Sequence, residues 1–247
     1  MKQSHIDLEK IVSRSLKRLS IIGCSSDMYY RISISTPCLI SFTLDGFQDK
    51  TPLLESTPLL ETAFVRLGCD YKDTCHNYED GLFCGANDAS CRNCLAYNDG
   101  MSKTVLLGAL YNAKHLELIS TSEMFIFARD LKWCPIFNKL KTLLLNDYWC
   151  VAPDFDALTC ILKHSPVLEK LTLQLVSEGQ QAHRVEMKGS YSSMERSTVI
   201  SEHLKLMSVK YNVVDDRVLQ LLKFMCTFNI HKLTDNPFHV CYILNFH

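Results

Sequence analysis

The chain has 247 residues, of which 47% are hydrophobic and 21% charged, so it can bury a sizeable core and form one large domain or two small ones. Lys and Arg number 26 against 27 Asp and Glu, and the formal charge of −1 provides no long-range field to attract nucleic acid or an anionic membrane. The first residues lack the apolar centre of a signal peptide, and no apolar run is long enough to span a bilayer, which predicts an intracellular protein, cytoplasmic or nuclear.

One phrase, L-x-x-L-x-L, recurs along the chain, with its apolar residues three and then two positions apart. The seven copies read LKRLSI, LISFTL, LETAFV, AKHLEL, LKTLLL, LEKLTL and LKLMSV, and they begin at Leu16, Leu39, Leu60, Ala113, Leu140, Leu168 and Leu204. Most of the intervals between these starting residues lie at or near the period of leucine-rich repeats, and the two longest correspond to one repeat plus an insertion.

The spacing has a physical reason. The last two apolar residues of each copy lie on a short strand and point into the core, whereas the first lies where the chain turns into that strand. One repeat cannot bury its leucines alone, so the copies must stack. We therefore predict an α/β leucine-rich repeat solenoid: a curved wall of parallel strands with helices or turns on its outer side, and one long loop insertion. An ordinary α/β domain with leucine-rich strands is the alternative.

The predicted elements follow the repeats in chain order. Strands are expected near 19–22, 41–45, 63–66, 115–119, 142–146, 171–175 and 206–210. Helical spacing between the copies is shown by Leu106 and Leu110 after a possible Ser102 cap, by Phe155, Leu158, Ile161 and Leu162 between Asp154 or Asp156 and Pro166, and by Val218, Leu221, Leu222 and Met225 after Asp215 and Asp216. The repeat domain is assigned to residues 1–230, with the insertion at 69–99 and an atypical tail at 231–247.

The insertion at 69–99 is acidic and rich in cysteine. It holds five of the twelve cysteines, together with one histidine: Cys69, Cys75, Cys84, Cys91, Cys94 and His76. The C-x-x-C of Cys91 and Cys94 could clamp half of a tetrahedral zinc site, but the remaining spacings are irregular, so a surface loop with unpaired thiols is favoured. A thioredoxin-type redox motif would need a strand before it and a helix directly after it. We expect no metal and no cofactor.

The other seven cysteines are scattered among apolar residues, where cysteine acts as a small hydrophobe. They are Cys24, Cys38, Cys134, Cys150, Cys160, Cys226 and Cys241. In a chain of this size and hydrophobicity their thiols are expected to stay mostly free.

The sequence contains no nucleophile elbow, phosphate-binding glycine loop, H-E-x-x-H or paired-carboxylate motif, so we predict no enzyme activity and no catalytic residue. His115 lies in a strand phrase and His164 at the end of an apolar helix, and both are interpreted as surface or packing residues. Tyr148 and Trp149, in NDYWC, could anchor a partner or pack in the core.

Longer segments resemble one known family. SLKRLSIIGC, ISTPCLISFTL, TPLLESTPLLETAFVRLG, KLKTLLLNDYWCVAPDFDALTCILKHSPVLEKLTLQL and VVDDRVLQLLKFMCTFNI resemble the C-terminal leucine-rich half of plant, especially grass, F-box/LRR proteins of the FBD-related group. The resemblance extends from about residue 9 to residue 230. It implies the substrate-recognition part of an SCF-type ubiquitin ligase, in which an F-box binds the Skp adaptor and the repeats hold a target protein.

The two ends of the chain depart from the pattern of that family. No F-box sequence precedes residue 9, and HKLTDNPFHVCYILNFH does not continue the usual ending. We therefore expect a truncated or alternatively spliced form that does not bind the Skp adaptor by itself. The alternatives are a Cys-rich metal-binding or redox protein, or a non-functional splice fragment.

A target protein is expected to bind the concave wall of strands. The residues between and just beyond the inward-pointing leucines face the exposed side of the sheet. The predicted binding residues are His115, Glu117, Thr142, Asn146, Lys170, Thr172, Gln174, Ser208 and Lys210. Polar side chains of mixed charge suit a protein epitope better than a small apolar ligand.

Overall fold

The computed structural model of the protein describes residues 4–5, 8–26, 31–68, 73, 104–121, 125–152, 155–175, 203–211, 215–226 and 239–242. The strands in chain order are β1 (Ser4–His5), β2 (Lys10–Val12), β3 (Arg18–Ile22), β4 (Cys24–Ser25), β5 (Ser33–Ser35), β6 (Ser41–Asp45), β7 (Leu53–Leu54), β8 (Thr62–Leu67), β9 (His115–Ser120), β10 (Thr142–Asn146), β11 (Lys170–Leu175), β12 (Leu206–Tyr211) and β13 (His239–Tyr242). The helices are α1 (Phe125–Leu131), α2 (Asp156–Lys163) and α3 (Asp216–Cys226), with 3-10 turns at Leu107–Ala109 and Asp147–Cys150. The fold is α/β, with parallel sheets and few helices.

In the described part of the chain, the main sheet contains eight strands in the order β3-β6-β8-β9-β10-β11-β12-β13, and every neighbouring pair is parallel. The strand order therefore follows the chain order. All seven predicted strands are present and their ends differ from the prediction by at most one residue. Parallel neighbours of this kind must be joined by crossover connections and cannot be joined by tight hairpins.

The register brings the repeated leucines side by side in the core. Leu143 pairs with Leu116 on one side and with Leu171 on the other, and all three are at most 2% exposed. The row formed by the last apolar residue of each phrase, which includes Leu145 and Leu173, is at most 3% exposed. One face of the sheet is therefore continuous with the hydrophobic core, as the alternation of side chains along a strand requires.

Tight turns precede the strands. The N–H of Leu168 donates to the carbonyl of Ser165 across a proline. The carbonyl groups of Thr36 and Thr57 accept an equivalent hydrogen bond from the N–H of the leucine three residues later. Proline at the second position of such a turn already has the backbone angle that the turn needs. Each turn places the first leucine of its copy at the corner, where Leu168 is fully buried.

The outer side of the sheet differs along the molecule. In the first repeats it carries a second parallel sheet, in the order β2-β5-β7, which the sequence did not predict. Farther along the chain it carries α1 and α2, which contact each other, and the 3-10 turn Asp147–Cys150. The predicted outer helices are therefore confined to the later repeats in the part of the chain that is described.

Two of the predicted helices are confirmed, as α2 and α3, and one prediction is wrong. The segment containing Leu106 and Leu110 forms a single 3-10 turn in place of a helix. The Asp130 carboxylate accepts hydrogen bonds from the backbone N–H groups of Val105, Leu106 and Leu107, at 2.7 to 3.1 Å, and holds this backbone in place. Ser102 lies outside the described residues.

The five cysteines with described side chains are all free, namely Cys24, Cys38, Cys134, Cys150 and Cys160. Cys150 is buried, as expected of a small hydrophobe, whereas the other four are only partly buried. The zinc or surface-loop interpretation of residues 69–99 falls outside the described residues, apart from Asp73. So does most of the 231–247 tail. Among the residues described, no helix has the length and hydropathy needed to cross a membrane.

Candidate functional site

The face of the main sheet opposite the core carries a groove with a volume of about 420 Å³. It crosses six successive strands, from β6 to β12, and most of its lining residues alternate with the buried apolar residues. Because the strands are in register, side chains at equivalent positions of successive repeats form rows across the sheet. The groove is therefore a direct product of the repeat.

Six of the nine predicted binding residues line this groove, namely His115, Glu117, Thr142, Lys170, Thr172 and Lys210. The other three, Asn146, Gln174 and Ser208, lie on the same strands but not in the lining. The prediction that these positions alternate with the core leucines is confirmed. Whether any of them binds a partner stays a prediction.

One row of paired side chains crosses the centre of the groove. Thr142 is paired with His115 on one neighbouring strand and with Lys170 on the other. The Nδ1 atom of His115 lies 2.8 Å from the Oγ1 atom of Thr142 and forms a hydrogen bond with it. This contact aligns an imidazole and a hydroxyl on adjacent strands, so the groove presents ordered donors and acceptors.

Thr172 is the least exposed of the nine predicted binding residues. It lies in the next row, between Leu144 and Ser208, and only 7% of its surface is exposed. Thr172 lies on the predicted face and lines the groove, but it exposes little surface to a partner.

Asn146 has a structural role that spacing did not reveal. Its Oδ1 atom accepts the N–H of Ser120 at 3.0 Å, and its Nδ2 atom donates to the Ser120 carbonyl at 2.7 Å. Nδ2 also donates to Asp147. The amide thus satisfies backbone groups at the end of β9, which removes most of its capacity to bind a partner.

The part of the groove that is formed by the earlier repeats was not among the predicted binding residues. At the positions that alternate with the core residues, the additional lining residues of those strands and of β10 are Ser41, Thr43, Thr62, Phe64 and Leu144. The signal that could have found them was the same alternation, applied to the second and third copies of the phrase. These residues extend the site toward the N-terminal repeats and add hydroxyl groups and a half-buried aromatic ring.

Charge is unevenly distributed over the groove. Lys170 and Lys210 supply two positive charges at the end formed by later repeats, and Glu117 supplies a negative charge near the centre. Beside the groove, at the start of the strands, Lys141 and Lys205 both bond to Glu169 at 2.9 Å. These bonds lower the pKa of the Glu169 carboxyl to about 2, so it is ionised at neutral pH.

A second pair lies on the same edge. Lys114 donates to Glu61 at 2.8 Å, and this hydrogen bond is the main cause of the lowered pKa of the Glu61 carboxyl. All these residues directly follow a corner leucine, or Ala113 in the fourth copy. The charges thus form a ladder along the edge of the sheet where the strands begin.

No protein-family model matches the chain, and no curated protein or solved structure matches it. The resemblance to F-box/LRR proteins therefore stays a prediction. The site must be interpreted from its own chemistry.

The aromatic residues of NDYWC do not belong to the groove. Trp149 is fully buried, and its indole N–H donates to the Leu118 carbonyl at 3.0 Å. Its ring packs against Phe127 and Tyr148, with centroid distances of 4.8 and 5.2 Å. Of the two roles considered for Tyr148 and Trp149, core packing is the one that the structure supports.

Proposed function

We propose that the protein is an intracellular leucine-rich repeat scaffold that binds a protein target along the groove of its main sheet. In this proposal the chain corresponds to the substrate-recognition part of F-box/LRR proteins of SCF-type ubiquitin ligases, which its segments resemble. The observation that carries the proposal is the row of aligned polar side chains across consecutive parallel strands, at positions that alternate with core leucines.

The chain-order sheet supports the repeat part of this proposal. Seven copies of one phrase give seven adjacent parallel strands, so each repeat buries its leucines against the next. In leucine-rich repeat proteins such a wall of strands is concave and carries the binding surface. The short outer elements fit this arrangement, because they return the chain to the start of the next strand.

The chemistry of the groove favours a protein partner over a small apolar ligand. Hydroxyls of Ser41, Thr43, Thr62 and Thr142, the His115 imidazole and the charged ends of lysines are distributed over six strands. Small-molecule pockets are usually enclosed and mainly apolar, with few polar groups. A long polar strip with an aromatic side chain is more suited to a protein segment that exchanges many hydrogen bonds.

The charge distribution also indicates which kind of segment would fit. With Lys170 and Lys210 opposed by Glu117 alone, a target with a carboxylate at the end near β11 and β12 would be favoured. The hydroxyl-rich end near β6 and β8 would accept neutral polar side chains. These preferences define the partner by its chemistry.

The experiment has two stages. A peptide-display or two-hybrid screen with the full chain first supplies a target, and its affinity is measured by calorimetry. The double variant Lys170→Ala with Lys210→Ala should then weaken binding by about tenfold or more, or about 1.4 kcal/mol. The matched control is Lys163→Ala with Lys223→Ala, which removes two exposed lysines from α2 and α3.

Loss of binding in the groove variant alone supports the proposal, provided that circular dichroism and thermal melting show an unchanged fold. Equal affinities of the two double variants would contradict it. Loss of binding only after deletion of residues 69–99 would move the binding site to the insertion.

The relation to ubiquitin ligases needs a separate test. We expect that this chain alone does not form a stable complex with the Skp adaptor. A pull-down with purified adaptor measures this directly. Stoichiometric recovery of the chain would contradict that expectation without affecting the groove.

A further inference from the structure

Three potential metal ligands meet on the outer side of the molecule, away from the groove. They are Cys134, which follows α1, and Cys160 and His164, which lie four residues apart on α2 and at its C-terminal cap. Their ligand atoms all lie within 4.8 Å of one another. Within the described part of the chain, this is the group of three Cys, His, Asp or Glu residues that comes close enough to hold an ion.

The distances suit a small tetrahedral ion. The Sγ atom of Cys160 lies 4.0 Å from Nδ1 of His164. Zinc bonds of about 2.3 Å to sulfur and about 2.0 Å to nitrogen would place those two atoms roughly 3.5 Å apart. The required shift is well within the reach of side-chain rotation.

To bind a metal, the His164 imidazole must give up one existing contact. Nδ1 of His164 is 2.8 Å from the carbonyl oxygen of Cys160, and a metal bound through Nδ1 would replace that contact. The spacing of four residues already puts the thiol and the imidazole on one face of α2. Only Cys134 has to be supplied by tertiary structure.

The surroundings favour a cation. Cys160 Sγ lies 3.7 Å from the carbonyl oxygen of Leu131, the last residue of α1, and Cys134 Sγ lies 3.8 Å from that of Pro135. The C-terminal ends of α1 and α2 both meet here, and such ends carry partial negative charge. Lys163 is the cation nearest this cluster along α2, and its side chain is exposed to solvent.

The three side chains are also accessible. All are partly exposed, in contrast to the buried Cys150. An ion from solvent can therefore reach them, and the protons that the two thiols release on binding can leave to solvent.

We propose that Cys134, Cys160 and His164 bind one Zn²⁺ ion, with a water molecule in the fourth position. Two Zn–S bonds and one Zn–N bond form, and each thiol gives its proton to the solvent. The ion would link the end of α1 to the end of α2 and fix these outer helices against the sheet. This site is distinct from the groove and from the cysteines of the insertion.

The test uses the full chain and Co²⁺ as a spectroscopic probe, in a phosphine reductant. To isolate the site, Cys69, Cys75, Cys84, Cys91 and Cys94 are replaced by Ser and His76 by Gln. We expect one Co²⁺ per chain, a thiolate-to-cobalt absorption band, and displacement by Zn²⁺.

Ligand variants in this background should lose the site selectively. Cys134→Ser and Cys160→Ser should abolish the thiolate band or weaken Co²⁺ binding by at least about tenfold, and His164→Gln should weaken it as well. The control Cys24→Ser removes another partly exposed thiol and should leave Co²⁺ binding unchanged. No uptake of Co²⁺, or uptake that Cys160→Ser does not alter, overturns the proposal.

A second measurement keeps the three native ligands, so it tests the proposal even if the ligand variants do not fold. The chain with native Cys134, Cys160 and His164 is alkylated with and without Zn²⁺, and the modified peptides are identified by mass spectrometry. Protection of Cys134 and Cys160, but not of Cys24, supports the site. Equal labelling of Cys134 and Cys160 in the two conditions contradicts it.

Discussion

The first repeats and the later repeats share one sheet but close its outer side differently. Between Leu16 and Leu60 the chain returns through the short strands β5 and β7, whereas between Ala113 and Leu168 it returns through α1 and α2. The copies start at residues 16, 39 and 60 in the first region and at 113, 140 and 168 in the second. The comparison shows that repeat length selects the outer element.

The reason is geometric. A helix advances 1.5 Å per residue and a strand about 3.3 Å, so α2, with 8 residues, spans about 12 Å, close to the about 10 Å of the 3 residues in β5. Returning the chain by a helix therefore needs several more residues for the same distance. The later repeats have those residues, and the first repeats do not.

The largest expected loss of stability comes from removing the Asp130 carboxylate, which joins α1 to residues 105–107. Asp130 is fully buried, pairs with Arg129 at 2.7 Å and accepts three backbone N–H groups of 105–107. The Asp130→Ala variant leaves the Arg129 charge and those N–H groups without this partner, and should lower the free energy of unfolding by about 3–5 kcal/mol. Urea denaturation measures the change.

Asp216→Ala is the control for this substitution. Asp216 is exposed in the first turn of α3, and its loss should cost less than about 1 kcal/mol. Similar costs for the two variants would mean that the Asp130 network does not stabilise the later repeats.

A smaller effect is expected at the turns that follow the first strands. Gly23 and Gly46 follow β3 and β6 and have φ angles of 59° and 58°, in the left-handed region that other residues avoid. Gly46→Ala should therefore cost about 1–2 kcal/mol. Thermal melting of the variant checks this.

The matched substitution is Gly68→Ala, after β8, where an added Cβ atom meets nothing within 4 Å and φ is not in the left-handed region. It should be nearly neutral. If both alanine variants lost equal stability, backbone conformation would not explain the requirement for glycine in the short repeats.

The smallest effect concerns the charged ladder, which is better developed in the later repeats. In the second copy the residue after the corner leucine is the uncharged Ile40. In the sixth copy the equivalent residue is Glu169, which binds two lysines. The pKa of Glu169 is lowered from 4.5 to about 2, so its stabilising contribution is complete above pH 4.5 and is lost as the pH falls toward 2. Glu169→Gln should flatten the pH dependence of unfolding in that interval.

Glu61→Gln provides the comparison, because Glu61 binds one lysine, Lys114. The pKa of its carboxyl is also lowered. The Glu61→Gln substitution should therefore also flatten the pH dependence of unfolding at acid pH, but by less than Glu169→Gln does. High salt should reduce both effects, since these pairs are exposed. If Glu169→Gln left the pH dependence of unfolding at acid pH unchanged, the ladder would have no role in stability.

What the sequence determined by itself is the repeat. The period-two alternation after each corner leucine decides which side chains enter the core and which form the groove, because successive residues of a strand point to opposite faces. That rule located β10 and β11 and the exposed positions of Lys170 and His115. It needed no information from distant parts of the chain.

What only tertiary structure decided depends on residues far apart in sequence. Thr172 is covered by its neighbours, Asp130 holds the backbone of 105–107, and Cys134 meets Cys160 because α1 packs on α2. No local spacing encodes these contacts, since each depends on how two separate segments pack. The repeat therefore specifies the sheet, and the packing between its outer elements specifies the candidate metal site.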